Sequence, residues 1–145
     1  MDIERCTKAD FDWILNHFGE FWNNDATRSR HHPIFVNELG DTAFVIRDGK
    51  SIAAYLLGFI ATASPTGYVH MVAVNRRHRR EHLASRLYDH FITLASERGC
   101  IRLKATVAPE NKLSIDFHQA RGMSMETVED YAGPGIDRVV FLAEI

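Results

Sequence analysis

A single α/β (α+β) domain on a mixed sheet is the fold this 145-residue sequence predicts, and three features predict it. Residues 42–46, 51–60 and 68–74 are consecutive strand-like runs joined by short turns, the pattern of an antiparallel meander. The third run passes through a basic turn into a long amphipathic helix. Another strand follows that helix, and strand–helix–strand connections pair their strands in parallel through a right-handed crossover. The whole comes to about six to seven strands with about four flanking helices.

Taken in order, residues 3–6 read as a first strand. Thr7 can cap a helix, and Asp10 three positions on favours the positive end of that helix. Phe11, Ile14, Leu15, Phe18, Phe21 and Trp22 keep helical spacing and read as core, while Trp13 lies off the stripe. Pro33 opens a short helix that Gly40 closes. R-D-G-K, residues 47–50, is a hairpin signal, read as Asp-Gly in a type I′ turn. The run IAAYLLGFIA that follows is apolar nearly throughout, so both faces of this strand are expected to be covered. Pro65, Thr66 and Gly67 turn the chain into the central strand. Beyond Gly99, residues 100–107 alternate Ile101, Leu103, Ala105 and Val107 inward with polar residues outward. Asn111 caps a helix that ends at Gly122, and 123–128 and 138–142 close the sheet.

Composition narrows the function classes. Hydrophobic residues make up 46% and charged residues 25%, ordinary for a globular protein. The formal net charge of -2 argues against a general nucleic-acid binder, which spreads positive charge over a face. No apolar run is long enough to span a bilayer and no signal-peptide pattern opens the chain, so a cytoplasmic protein without a membrane partner is expected. Cys6 and Cys100 show no metal spacing and read as small core residues in a reducing compartment. His31 and His32 lack a third ligand, and no metal is expected.

The chemistry concentrates in residues 68–97, YVHMVAVNRRHRREHLASRLYDHFITLASE. A strand ending at Val74 gives way to the basic run Arg76, Arg77, His78, Arg79 and Arg80, and then to a helix. A helix start leaves amides unpaired and carries about half a positive charge, so strand, basic turn and helix make a phosphate site. R-R-E-H-L-A, Arg79 to Ala84, preceded by V-A-V, resembles the acyl-CoA signature [Q/R]-x-x-G-x-[G/A] of the GNAT N-acetyltransferases, with His82 where that pattern has glycine. N-K-L-S-I-D-F-H-Q-A-R-G-M, residues 111–123, resembles the second GNAT signature, with His118 at the usual tyrosine position.

The resemblance covers the whole chain. It implies the GNAT fold and transfer of an acetyl group from acetyl-CoA to a primary amine of a small molecule or peptide. By the same resemblance, pantetheine runs along the central strand at Val72 and Val74. The pyrophosphate rests on Arg79, Arg80, His82, Leu83, Ala84 and Ser85, and Asn111 and Ser114 border the cofactor. Strand alternation places Tyr68, His70, Val72 and Val74 on one face. The arylalkylamine branch of the family looks similar here, with two histidines where Tyr68 and His70 stand. That makes His70 the first candidate for the base, the other reading being a hydrogen-bonded histidine inside the sheet. His118 is either an acid for the departing sulfur or a solvent-facing histidine.

For the acceptor amine, the flanking helices and last loop offer Trp13, Trp22, Asp25, Phe35, Glu129, Asp130 and Tyr131, a set that suits a cation if it gathers at the site. Two other readings compete: a catalytically silent acyl-CoA-binding module of the same fold, and a nucleic-acid-binding domain acting through residues 76–80. A homodimer is compatible with the sequence.

Overall fold

The computed structural model describes residues 1–145. Its elements run β1 (Ile3–Arg5), α1 (Lys8–Asn16), α2 (Ile34–Asn37), β2 (Ala43–Asp48), β3 (Ser51–Ala61), β4 (Thr66–Val74), α3 (Leu83–Glu97), β5 (Arg102–Val107), α4 (Lys112–Ala120), β6 (Ser124–Val128) and β7 (Arg138–Glu144). One seven-stranded sheet holds them in the order β1-β2-β3-β4-β5-β7-β6. Every neighbouring pair is antiparallel except β4 and β5, which the α3 crossover makes parallel.

The helix starts follow local chemistry. Thr7 and Asp10 form a reciprocal capping box on α1, each side chain meeting the other's amide, so two orphan donors are satisfied. α1 stops at Asn16, earlier than the aromatic stripe implies, and the chain tightens into a 3-10 turn over Phe18–Glu20. Those aromatics still face the core from the tighter turn. Asn111 caps α4 by accepting from the Ser114 amide at 3.2 Å.

The hairpin between β2 and β3 differs from expectation. Asp48 pairs with Ser51, so Gly49 and Lys50 are the turn. Gly49 takes φ +61° and Lys50 has no positive φ. A type I′ turn needs two positive φ values, whereas one glycine in first place fits type II′.

The sheet has a core on each face. Phe91, Leu87, Tyr88 and Leu83 of α3 pack on Leu56, Val69 and Leu103. Phe11 and Ile14 of α1, with Phe21 and Phe35, pack on Tyr55, Leu57 and Met71. β3 is therefore covered on both faces, as its continuous apolar run requires. α3 lies so close that a Cβ on Gly58 would come 2.8 Å from the Phe91 ring, and one on Gly67 3.0 Å from the Ala95 methyl. Glycine at these two strand positions lets the helix seat. Filling either forces a shift of packed groups, which typically costs about 1–3 kcal/mol.

β4 carries a bulge that positions the site. Leu57 pairs with Met71 but Gly58 pairs with Val69, leaving His70 as the extra residue. A bulge re-aims side chains, and here it breaks the alternation expected from the sequence. Tyr68 and His70 stack on Phe59 and Phe35 of the α1–α2 side. Val72 and Val74 pack on the α3 side. These four residues therefore do not share one face.

Candidate active site

β4 and β5 pair only from Thr66–Arg102 to Val69–Ala105. Beyond that point they separate, and the β4 edge from residue 70 onward has no strand beside it. The opening is a cleft of about 60 Å³, lined by residues from β4, β5, α3, α4 and the loop before α2. This is the place where connections on either side of a sheet diverge, and where open sheets take ligands.

His70 lines the cleft. Its Nε2 lies 2.8 Å from the Arg30 carbonyl oxygen, which can only accept, so Nε2 carries the hydrogen and Nδ1 keeps the lone pair. Burial lowers its pKa below the ordinary histidine range, and the Arg30 charge adds to the fall. A neutral imidazole with a free Nδ1 has the proton state of a general base. Tyr68 is not on the cleft wall; its hydroxyl shares a hydrogen bond of 2.8 Å with Thr106 Oγ1, and Thr106 does line the cleft.

His118 faces inward, 1% exposed, which excludes the solvent-facing alternative. It is stacked on Phe141 at 4.8 Å. Its Nδ1–H donates to the Ser114 carbonyl at 2.7 Å, leaving Nε2 to accept from the Tyr88 hydroxyl at 2.5 Å. Burial lowers the His118 pKa and raises that of Tyr88, so both stay neutral at physiological pH. Tyr88, His118, Ser114 and Asn111 all line the cleft. The phenol is thus held there by an imidazole, itself oriented by a backbone carbonyl.

The basic run divides into two parts. Arg76 bonds the Gly19 carbonyl and Asn23, Arg77 meets Glu20, and His78 bridges Asp48 and Glu81. These three fasten the turn to the rest of the chain. Arg79 and Arg80 are exposed and form no ion pair. Arg80 takes φ +70° and His82 φ +58°, and no side chain caps the α3 start at Leu83. Two left-handed residues bring the chain into a helix start whose amides no side chain caps, and that start supplies positive potential. Leu83, Ala84 and Ser85 make up that first turn. Such a surface holds a phosphate.

The loop over the cleft is anchored by a buried network. Trp22 Nε1–H donates to the Tyr55 hydroxyl at 2.8 Å, which donates to His31 Nε2 at 2.7 Å. His31 Nδ1–H donates to the Thr27 carbonyl at 2.8 Å. Burial pushes the His31 pKa down to about 4. Every member is satisfied, which fixes residues 22–31 against β3.

Of the acceptor-site residues expected from sequence, Trp22 lines the cleft and the acidic ones do not. Asp25 pairs with Arg28, and Asp130 is occupied in its own loop by the Gly135 amide. No aspartate or glutamate lines the cleft. Tyr88, Arg30 and Thr27 do line it and were not expected. Tyr88 has helical spacing that reads as core, and only the pairing of α3 with α4 turns its hydroxyl to a use.

The acetyltransferase (GNAT) family profile matches residues 9–123. The L-2,4-diaminobutyric acid acetyltransferase of Streptomyces coelicolor is 30% identical over 109 residues, covering 70% of this chain and 64% of that relative. The chain thus spans just under two thirds of the relative's length. A GNAT-family acetyltransferase structure from Desulfovibrio desulfuricans superposes with a TM-score of 0.80 at 15% identity, covering 99% of this chain and 98% of the other. An aminoglycoside 6'-N-acetyltransferase complexed with coenzyme A gives 0.74 at 11% identity, covering 99% and 97%. At such identities these two likenesses show a shared fold.

Proposed function

The chain belongs to the acetyltransferase (GNAT) family, and from that membership we propose that it transfers an acetyl group from acetyl-CoA to a primary amine of a small molecule. The observation that carries this is the separation of β4 from β5 beside the uncapped start of α3. One end offers free strand edge to the amides of pantetheine, and the other offers an anion cradle to the pyrophosphate. The neighbour solved with coenzyme A supports the cofactor class. A small diamino acid in the name of the Streptomyces coelicolor relative supports an amine of small size.

Val72 and Val74 would lend backbone groups to pantetheine. Arg79, Arg80, His82, Leu83, Ala84 and Ser85 would hold the phosphates, with Arg79 as a charged fork. Asn111 and Ser114 border the thioester end. The acceptor nitrogen attacks the thioester carbon, a C–N bond forms, and the C–S bond breaks. The amine's proton passes to His70 Nδ1, directly or through water, and on to solvent. The departing sulfur is met by the Tyr88 hydroxyl, with His118 behind it. If His118 takes a proton from solvent, it returns one to the phenol oxygen as the phenol hydrogen goes to sulfur, and both residues end neutral.

The test of this function is thermal stabilisation by acetyl-CoA, repeated with an oligonucleotide. Stabilisation by acetyl-CoA alone is expected. A salt-sensitive shift with the oligonucleotide alone would refute the proposal in favour of nucleic-acid binding.

A further inference from the structure

The cleft that faces the acceptor carries positive charge and no negative charge. Arg30 lines it, half-buried, beside the neutral His70 and His118, and no carboxylate does. Arg30 forms no ion pair and its guanidinium has no hydrogen bond within the chain. Arg138, half-buried at the start of β7, is also without a carboxylate partner. Burial lowers the Arg30 pKa, and the like charge of Arg138 lowers it further. A half-buried guanidinium on the cleft wall without a counter-ion is an arrangement that an anion relieves.

A second observation lies on the same wall. Thr27 lines the cleft, and its buried Oγ1 has no hydrogen-bond partner. It is the sole buried side-chain polar atom left so in the molecule. The loop that carries Thr27 and Arg30 is fixed by the network of Trp22, Tyr55 and His31, so these groups are held in place before any ligand arrives. His70 donates to the backbone carbonyl of Arg30 itself, so the candidate base and this arginine meet on the same wall.

We propose that the acceptor is a free amino acid whose carboxylate is held by Arg30, with Thr27 donating a further hydrogen bond, while its amine is presented to His70. The inference rests on the acetyl-transfer reading and narrows it to amines that carry a carboxylate. A polyamine or an aminoglycoside, cationic throughout, would meet like charge here. The same argument separates a free amino acid from a peptide N-terminus, where the neighbouring carboxyl group has become an uncharged amide.

The experiment pairs a panel of free amino acids, including lysine and ornithine, with their decarboxylated amines and their methyl esters. Two readouts are taken: kcat/KM for acetyl transfer, and the thermal shift each compound gives in the presence of CoA, which needs no turnover. At least one amino acid should exceed its decarboxylated amine and its ester by about 10–100-fold, the range of a lost charged hydrogen bond. Arg30→Gln should bring that ratio close to one, and Arg30→Lys should restore part of it. CoA-induced stabilisation retained by both variants shows that they fold. Selective binding of an amino acid without turnover supports the carboxylate site and refutes acetyl transfer. Turnover of amines and amino acids alike leaves acetyl transfer standing and overturns the carboxylate site. So does better turnover of a peptide N-terminus than of the same residue free, or an Arg30→Gln loss equal for both members of a pair.

Discussion

The Tyr88 hydroxyl donates to His118 Nε2 across 2.5 Å, linking α3 to α4 at the wall of the cleft. The direction of this bond follows from the other side of the ring, where Nδ1–H is committed to the Ser114 carbonyl. His118 is therefore an acceptor at neutral pH, and the hydroxyl it holds at the cleft wall belongs to a residue on another helix.

Tyr88→Phe should lower kcat by about 10–100-fold with little change in acetyl-CoA affinity. The size lies at or below the usual general-acid range because thiolate is already a fair leaving group. His118→Phe should cost a similar factor, and the double variant little more than either alone. Each single change also strands a buried polar group, at about 1–3 kcal/mol of stability. Wild-type turnover by Tyr88→Phe, measured by thiol release, would reduce the pair to a structural tie.

His82→Gly should leave the protein as stable or up to about 1 kcal/mol more stable. A left-handed non-glycine residue costs about 1–2 kcal/mol, partly offset by glycine's greater freedom in the unfolded chain. His82→Val, β-branched at φ +58°, should be clearly destabilising. Urea midpoints decide it; equal losses for both variants would show that the imidazole itself supports the turn.

The acid limb of kcat/KM should fall below the ordinary histidine value of about 6.5, because burial lowers the His70 pKa. His70→Gln should lose that limb, so the loss of turnover is largest above the His70 pKa and shrinks as pH falls through it. A pH–rate profile that keeps the same limb in the variant would leave His70 as a hydrogen-bonded strand residue.

His31 makes the fold sensitive to acid. Its folded pKa of about 4 lies below the unfolded value near 6.5, so the unfolded chain binds the extra proton between the two. Its contribution to stability is full above about pH 6.5 and declines as pH falls towards 4, by about 3 kcal/mol in all. Burial also lowers the pKa of His70 and His118, so they add in the same sense. Unfolding free energies of wild type and His31→Phe over this window should converge as pH falls. Parallel curves would contradict the assignment.

The element order and the phosphate turn are legible in the sequence because they rest on local signals: periodicity, Thr7 and Asn111 as caps, and a basic run at a helix start. The acceptor wall is not. Tyr88 obeys the spacing of a core residue, and His31 sits in a polar run that gives no sign of the buried Tyr55 beneath it. Tyr68 and His70 do share a face, but Val72 and Val74 leave it because the extra residue in β4 depends on its register with β3. No single-strand pattern encodes that. Asp25 and Asp130 are near the site in chain order but are turned to local partners.

The most direct measurement is the fate of the acetyl group when purified protein, acetyl-CoA and the amino acid panel are incubated together and the products are identified by mass spectrometry. Catalysed formation of free CoA with an equal amount of an N-acetylated amino acid, slowed by Tyr88→Phe and His70→Gln, is the predicted result. Acetyl-CoA binding with no acetylated amine of any kind, at rates no higher than in protein-free controls, would contradict the account and leave a silent acyl-CoA-binding domain.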